Sequence, residues 1–345
     1  MENIIGFLKK IRKQNSLKNQ YTGKYAFVGI GNHSKNNLYP VLNYLNLNLK
    51  YIVTKSPSTT ELINKNYPSV TATNNFEKVL NDEEIKGIFI SANPDSHYEL
   101  VKKSLEHRKN VFVEKPPCTT IEQLNDLIDI EKTSGAKCLV GLQKRYSVST
   151  LILKKEISDE EIISYNYRFI LGSYPEGDPI LDLFIHPVDL TSFLFGDTEL
   201  HSITKTENTK GKLSVFLHTK HRKNIIGSLE MSTDYTWDMP TELLTVNTRK
   251  GIYTMENHQV LTFQPKAGTF LSMPKEKIFP SVPEKKYLFN GNNFLPVVEN
   301  NQIVSQGYFN EIKTFADICE NKKAQNNSPL NSLVNTFELI SQIKK

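Results

Sequence analysis

The stretch Tyr25-Ala26-Phe27-Val28-Gly29-Ile30-Gly31-Asn32-His33-Ser34 decides the fold. An unbroken apolar run of this length reads as a strand buried on both faces, as in a parallel sheet. It runs straight into Gly-x-Gly, where the missing side chains let the backbone approach a pyrophosphate. The helical pattern from Leu38 to Leu47 then offers free amides and the positive end of a dipole. Pro40 lies near the start of that helix, where proline is tolerated. The arrangement predicts dinucleotide binding by Gly29, Gly31, Asn32, His33 and Ser34, with Ser34 where the fingerprint has its third glycine. The alternative is an ordinary glycine-rich turn.

Outward from this motif, strand and helix patterns alternate. Strands are expected at Leu49 to Thr54, 85–91, 110–114 and 137–142, and helices at about Ser58 to Asn66, Ser96 to Glu106 and Ile121 to Thr133. Such alternation predicts an α/β fold, a doubly wound parallel sheet over 24–142 with its ligand site at the carboxyl ends of the strands. Beyond Gly141 the segments 161–170, 212–219, 224–232 and 242–248 alternate or run apolar between turn residues. This predicts an α+β second domain over 143–345, built on a large, open, mostly antiparallel sheet. Helical patterns return at Pro179–Phe195, Gly307–Glu320 and Asn331–Lys344, while 264–306, rich in Pro, Gly and Asn, reads as long loops with a few short strands.

The chain has 345 residues, 38% hydrophobic and 23% charged, with a net charge of +5. That length favours two domains and leaves ample chain for a core, which excludes a small stapled scaffold, and the near-average composition argues against disorder. The charge is local. Residues 1–24 carry Lys9, Lys10, Arg12, Lys13, Lys18 and Lys24 against Glu2, and the remaining residues sum to zero. A neutral body argues against a nucleic-acid partner, which requires basic residues massed on one face. Residues 1–23 therefore read as a basic arm, with Ile4, Ile5, Phe7, Leu8 and Ile11 at the spacing of one helical face. Such a helix can lie at a lipid interface, but one weak helix attaches marginally, so packing on the body or a sister subunit is expected. The arm lacks a signal-peptide core, and no window has the ~18 consecutive apolar residues of a transmembrane segment. Cys118, Cys138 and Cys319 are odd in number and without metal-ligand spacing, as for buried reduced thiols. Together these features predict a cytoplasmic protein.

Three further stretches carry chemistry. Thr54-Lys55-Ser56 ends the second strand where an NAD-specific site would place Asp or Glu. A cation with two hydroxyls suits a 2′-phosphate, so NADP(H) is favoured over NAD(H), the alternative being a solvated loop lysine. Ser91-Ala92-Asn93-Pro94-Asp95-Ser96-His97 and Glu114-Lys115-Pro116-Pro117 end later strands and overhang the same crevice. This puts Ala92, Asn93, Pro94, His97, Glu114 and Lys115 beside a cofactor, although His97 also reads as a first-turn helix residue and Lys115 as a surface charge. In the second domain Asp182, His186 and Asp189 share a helical face, so that carboxylates flank an imidazole. That arrangement raises the imidazole pKa towards the working pH and suits general acid–base chemistry. The same spacing is a possible metal arrangement, but no third imidazole or cysteine lies nearby and no metal is expected.

Taken together, "FVGIGNHS", "SANPDSHYEL", "VFVEKPPC", "VGLQKRY", "ILDLFIHPVDLTSFLFG" and "GYFNEIKTFADIC" resemble the Gfo/Idh/MocA oxidoreductases in order and spacing over residues 24–345. The resemblance implies an N-terminal Rossmann domain, a C-terminal α/β domain with an open sheet, and hydride transfer between a nicotinamide and a sugar, cyclitol or sugar nucleotide. It maps Lys115, Asp182 and His186 to the catalytic positions. His186 would accept the hydroxyl proton, Lys115 stabilise the alkoxide, and Asp182 orient His186 or a substrate hydroxyl. Arg145, Tyr146, Arg168 and Tyr174 are candidate substrate contacts, each also readable as a surface or interdomain residue. A homodimer or homotetramer through the C-terminal sheet is implied as well. The competing reading is a non-catalytic dinucleotide sensor of the same fold. Against it, a sensor has no need of an acid–base pair.

Overall fold

Six parallel strands form the first sheet: β1 (Lys24–Val28), β2 (Asn48–Val53), β3 (Thr71–Thr73), β4 (Ile85–Ile90), β5 (Asn110–Glu114) and β6 (Cys138–Gly141). Their order is β3-β2-β1-β4-β5-β6, which reverses direction at β1. A computed structural model describes residues 2–17, 20–173, 177–222, 224–278, 283–292, 294 and 297–345, with no side-chain account for 2, 3 and 12–17. Along the chain the helices are α1 (Glu2–Leu17), α2 (Tyr39–Tyr44), α3 (Pro57–Asn66), α4 (Phe76–Leu80), α5 (His97–Glu106), α6 (Ile121–Ser134), α7 (Val148–Glu156), α8 (Ile185–Phe195), α9 (Gln302–Ser305), α10 (Tyr308–Cys319) and α11 (Val334–Lys344).

The apolar runs of β1, β4 and β5 are buried on both faces, as their sequences require. On one face Val101 and Leu105 of α5 and Leu124, Leu127 and Ile128 of α6 cover the sheet. On the other, Phe27, Phe89 and Phe112 pack with Phe315 of α10, whose ring meets Phe89 edge-on at 4.9 Å. The sequence division at 142 would assign α10 to the second domain, yet this helix completes the core of the first.

The second sheet holds β7 (Ile162–Ile170), β8 (Thr198–Glu207), β9 (Leu213–His221), β10 (Ile226–Ser232), β11 (Thr241–Thr248), β12 (Gly251–Glu256), β13 (Val260–Pro265) and β16 (Lys286–Asn290). The short β14 (Thr269–Phe270) and β15 (Met273–Pro274) pair apart from it. The order is β16-β13-β12-β11-β7-β10-β9-β8, antiparallel except where β10 runs parallel to β7. Register aligns Leu217, Leu229, Tyr167, Leu244, Met255 and Leu261 across one face, all essentially buried. Helices α7, α8 and α11 pack against elements of this sheet. The other face exposes Phe216, Ile226 and Ile252.

Both predicted sheets are present, with elements the sequence pattern had not shown. Strand β3 has only three residues, too few for periodicity, and β8 reads TELHSITKTE, a polar edge strand without an apolar alternation. The stretch 264–306 holds the few short strands expected there, β14, β15 and β16, and adds the one-turn helix α9, which was not expected. The arm 1–23 is divided. Ile4, Ile5, Phe7, Leu8 and Ile11 of α1 are all exposed, whereas Tyr21 is buried and donates to Asp317 at 2.8 Å. The Thr22 and Gly23 amides donate to Glu320 at 2.8 and 2.6 Å. Residues 20–23 therefore belong to the body.

Candidate functional site

The turn after β1 carries the geometry its sequence asks for. Gly29 has φ +97°, and a Cβ there would lie 2.1 Å from the Ser91 carbonyl oxygen, so only glycine lets the β1 and β4 loops meet. Gly31 is open, with nothing within 4 Å of where its Cβ would stand. Ser34 is buried. Its hydroxyl donates to the Gly31 carbonyl at 3.0 Å and accepts from the Gly31 amide at 2.9 Å, closing the turn from within. It shapes the loop and is not itself exposed to a cofactor, a correction to its expected role. A π-turn over Ser34–Leu38 joins this loop to α2. An open glycine at the carboxyl end of the central strand, facing a helix start, fits a dinucleotide.

At the end of β2, Lys55 and Ser56 are exposed, whereas Thr54 is buried with its hydroxyl 2.7 Å from that of Thr60. Ser56 caps α3, accepting from the Thr59 amide. Thr54 therefore packs, and Lys55 and Ser56 are the groups that face outward. In the next loop Ala92, Asn93 and Pro94 remain at least partly accessible, and Asn93 caps the short turn that follows. His97 does not. It is buried, donates through Nδ1 to the Pro116 carbonyl at 2.7 Å, and holds Nε2 3.1 Å from the Ala92 carbonyl. It clips the two crevice loops together, a correction to its expected cofactor contact.

Glu114 and Lys115 end β5 next to this clip. His33 reaches across with Nε2 3.1 Å from Glu114 Oε1. Burial alone would raise the Glu114 pKa and lower that of His33, but their mutual attraction wins, holding Glu114 below and His33 above the ordinary values. Lys115 is lowered, chiefly by burial, against the pull of Glu114 and Asp182. Its ammonium donates to the Asp182 backbone carbonyl at 2.5 Å.

The Asp182–His186 pair is present in altered form. Asp182 sits in a π-turn, Ile180–Phe184, and its carboxylate accepts from the Asp178 amide at 3.0 Å, with its pKa raised by burial. Its carbonyl, not its carboxylate, meets Lys115. His186, in the first turn of α8, is buried, and its Nδ1 has no partner among the described residues. Asp189 does not flank His186 as expected, because it forms a buried ion pair with Arg145 at 2.5 Å. The expected rise in the His186 pKa is likewise overturned. Burial first, then the charges of Lys115 and Lys144, hold it well below the ordinary value.

Two expected substrate contacts are buried elsewhere. Arg145 also donates to the Asn327 carbonyl and the Ser332 hydroxyl, at 2.7 and 2.8 Å, fastening the loop after β6 to the chain before α11. Tyr146 has its hydroxyl 3.0 Å from that of Ser328. Arg168 points to the open face of the second sheet and pairs with Glu230 at 2.7 Å, because odd and even residues of β7 face opposite sides and the even ones face outward. Tyr174 lies outside the described residues.

The two sheets leave between them a cavity of about 850 Å³ lined by His33, Glu114, Lys115, Lys144, His186 and Glu242, among others. Residues 144 and 242 had not been singled out. Glu242 of β11 accepts from Lys144, from the Tyr167 hydroxyl, and from His258 at 3.0 Å, and these neighbours outweigh burial and keep it ionised. Lys144 belongs to a quoted motif, but nothing local marks Glu242 as its partner. A second cavity of about 680 Å³, between β8 and α11, holds none of these groups. No cluster of metal-ligating residues exists among the described residues.

Comparison with known proteins agrees with this layout. Residues 23–142 match the model of an oxidoreductase family with an NAD-binding Rossmann fold. An inositol 2-dehydrogenase/D-chiro-inositol 3-dehydrogenase of Lactiplantibacillus plantarum is 26% identical over 193 residues, 51% of this chain and 55% of that protein. The match thus spans about half of that relative. An inositol 2-dehydrogenase of Rhizobium meliloti is 22% identical over 300 residues, covering 81% of this chain and 89% of its own. A dehydrogenase from Chromobacterium violaceum superposes with a TM-score of 0.78 at 18% identity, over 94% of this chain and 95% of that one.

Proposed function

We propose that the chain belongs to the Gfo/Idh/MocA oxidoreductases and that it is an NAD(P)-dependent enzyme acting on a CH–OH group of a sugar, cyclitol or sugar nucleotide. The observation that carries the reading is that Lys115, following β5, and His186, in α8, line one cavity at the carboxyl end of the parallel sheet. A bound nicotinamide supplies the hydride acceptor or donor there. His186 is neutral because burial and two ammonium groups disfavour its cation, which leaves its imidazole able to accept the hydroxyl proton. Lys115 donates to the alkoxide as charge develops, and the Asp182 carbonyl holds that ammonium in place. Asp182 is therefore a positioning residue acting through its backbone. Reduction runs the proton the other way.

Lys115→Met and His186→Ala are each expected to lower kcat by roughly 10²–10⁴-fold, the usual share of a general acid or base. Cofactor affinity, measured by titration, should be nearly unchanged for His186→Ala. Turnover near wild type in both variants would overturn the assignment.

The cofactor in this reading is NADP(H). Its support is the exposed Lys55 and Ser56 at the end of β2, with the Ser56 and Ser58 hydroxyls 2.7 Å apart, where an NAD-selective site has a carboxylate. A charge-assisted hydrogen bond is worth roughly 1.5–3 kcal/mol, so Lys55→Glu should raise the KM for NADP⁺ tenfold or more, about that range, and leave NAD⁺ little affected. An unchanged cofactor ratio would remove Lys55 from the site. The same reading includes self-association through the open face of the second sheet.

A further inference from the structure

Helix α1 carries an apolar stripe that the rest of the fold leaves uncovered. Ile4, Ile5, Phe7, Leu8 and Ile11 are 63%, 52%, 63%, 58% and 36% exposed, and among the described residues none of them joins a core cluster. At 3.6 residues per turn the five occupy a little under half of the helix circumference, centred on Ile4 and Leu8. Lys9 and Lys10, also exposed, fall one on each edge of that stripe, Lys9 next to Ile5 and Lys10 next to Phe7. Charge is concentrated in the same segment. Residues 1–24 hold six basic residues and one acid, and the rest of the chain sums to zero.

A surface that fits this helix must accept an apolar ridge and cations on both of its flanks at one level. The body does not take that part, since the bonds that hold the arm to Asp317 and Glu320 come from Tyr21, Thr22 and Gly23. A second copy of α1 would bring the same cations to a contact already rich in them. Five partly exposed side chains also offer less than the roughly 800 Å² per partner that a stable protein interface buries. A nucleic-acid backbone would neutralise the cations and leave the stripe in water. A groove in an acidic protein would need acids on both rims. A bilayer rich in anionic lipid is charged in every lateral direction, so its acyl boundary takes the stripe while lipid phosphates lie along both flanks. Lying in the plane is the mode that fits, because among the described residues no helix is long and apolar enough to cross a membrane.

We propose that α1 is a reversible anchor to an anionic membrane surface, lying in the interface with Ile4, Leu8 and Ile11 at the acyl boundary and Lys9 and Lys10 among the lipid phosphates. The fixed segment 20–23 then keeps the body beside that surface. This is independent of the reaction catalysed. One short helix with a few cations attaches weakly, so binding depends on both lipid charge and salt.

Flotation of the full-length protein with vesicles tests it, using phosphatidylcholine alone and phosphatidylcholine with a one-third share of phosphatidylglycerol. Partition onto the anionic vesicles is expected to be at least tenfold stronger than onto the neutral ones at about 0.1 M salt. It should fall several-fold at about 1 M, where the Debye length has shrunk from roughly 10 to 3 Å. Leu8→Glu puts a charge in the stripe, and Lys9→Glu with Lys10→Glu reverses the flanks. Each should weaken partition about tenfold, the first by preventing insertion and the second by removing attraction. Removal of residues 1–19 should abolish flotation while urea unfolding of the body stays unchanged. A wild-type protein that does not float with anionic vesicles overturns the proposal. So does flotation that survives removal of 1–19, or that Leu8→Glu leaves untouched. Failure to float together with an oligomer that falls to monomer on removal of 1–19 assigns the stripe to a second copy instead.

Discussion

Glu311, on α10 one turn beyond Tyr308, is fully buried, and neither carboxyl oxygen has a partner among the described residues. Burial, reinforced by the charge of Glu114, raises its pKa well above the ordinary carboxylate value, so the folded protein keeps it neutral. In the unfolded chain the same group loses its proton near pH 4.3. Its burial therefore costs nothing electrostatically below that pH and becomes a growing penalty as pH rises towards the folded pKa. Glu311→Gln cannot ionise. Urea unfolding should show wild type and variant alike near pH 4, and the variant more stable at pH 8 by on the order of 1 kcal/mol. A stability difference independent of pH would show that Glu311 is already ionised in the fold. Residues of this kind separate what the sequence reveals from what it hides. Lys115 and His186 stand in short motifs whose spacing announces them. Glu311 and Glu242 look like ordinary helix and strand acids until burial and register give them their neighbours. Lys144 and Glu242, now paired, lie 98 positions apart, and no local pattern records that.

At the scale of elements, apolar periodicity was a good guide wherever an element was long and buried on a definite face. It gave β1, β4 and β5 and the helices α5 and α6 nearly to the residue, because both faces of such a strand exclude water. It failed where side chains did not need to face a core. The polar strand β8 is specified by pairing with β9 rather than by its own pattern. The Asp182 and His186 spacing implied a shared helical face, but the π-turn at 180–184 shifts the register and turns the Asp182 carboxylate back to its own loop. Helix α1 is the opposite case, a clear apolar stripe that covers nothing, since Ile4, Ile5, Phe7, Leu8 and Ile11 are all exposed. A stripe with no core contact contributes little to the stability of the body. Removing residues 1–19 should therefore leave the unfolding free energy within about 0.5 kcal/mol, because the anchoring bonds of Tyr21, Thr22 and Gly23 to α10 and Glu320 remain. A larger drop in a denaturant titration would mean that α1 packs on the body in solution.

The molecule as a whole joins a sheet closed on both faces to one closed on a single face. Of this, the parallel half was legible from alternation alone, and the second sheet from its period of two. The seam between them was not, because α10 crosses back to put Phe315 against Phe89 and Phe112, and a boundary drawn from sequence has no access to that return. The asymmetry of the second sheet has a consequence for assembly. Its outer rows, read across the register, set Phe216 beside Glu230 and Arg168, and Ile226 and Ile252, with Ser164 and Asn247 between, two rows away beyond His218, Ser228, Asn166 and Thr245. Apolar side chains at 45%, 61% and 42% exposure among paired charges and small hydroxyls make a surface of the composition of a protein interface. In the proposed self-association this face would meet a second copy of itself about a two-fold axis, with each Phe216 against the partner's equivalent surface. Placing a carboxylate at the centre of such a patch leaves it buried and unpaired, which typically costs 2 kcal/mol or more, so Phe216→Glu and Ile226→Glu should move the protein from oligomer to monomer in sedimentation velocity. Neither change touches the cavity between the sheets, since both positions face away from it, and cofactor titration should be unaltered in the resulting monomer. A wild-type protein that sediments as a monomer at micromolar concentration would leave the open face to solvent and remove self-association from the proposal.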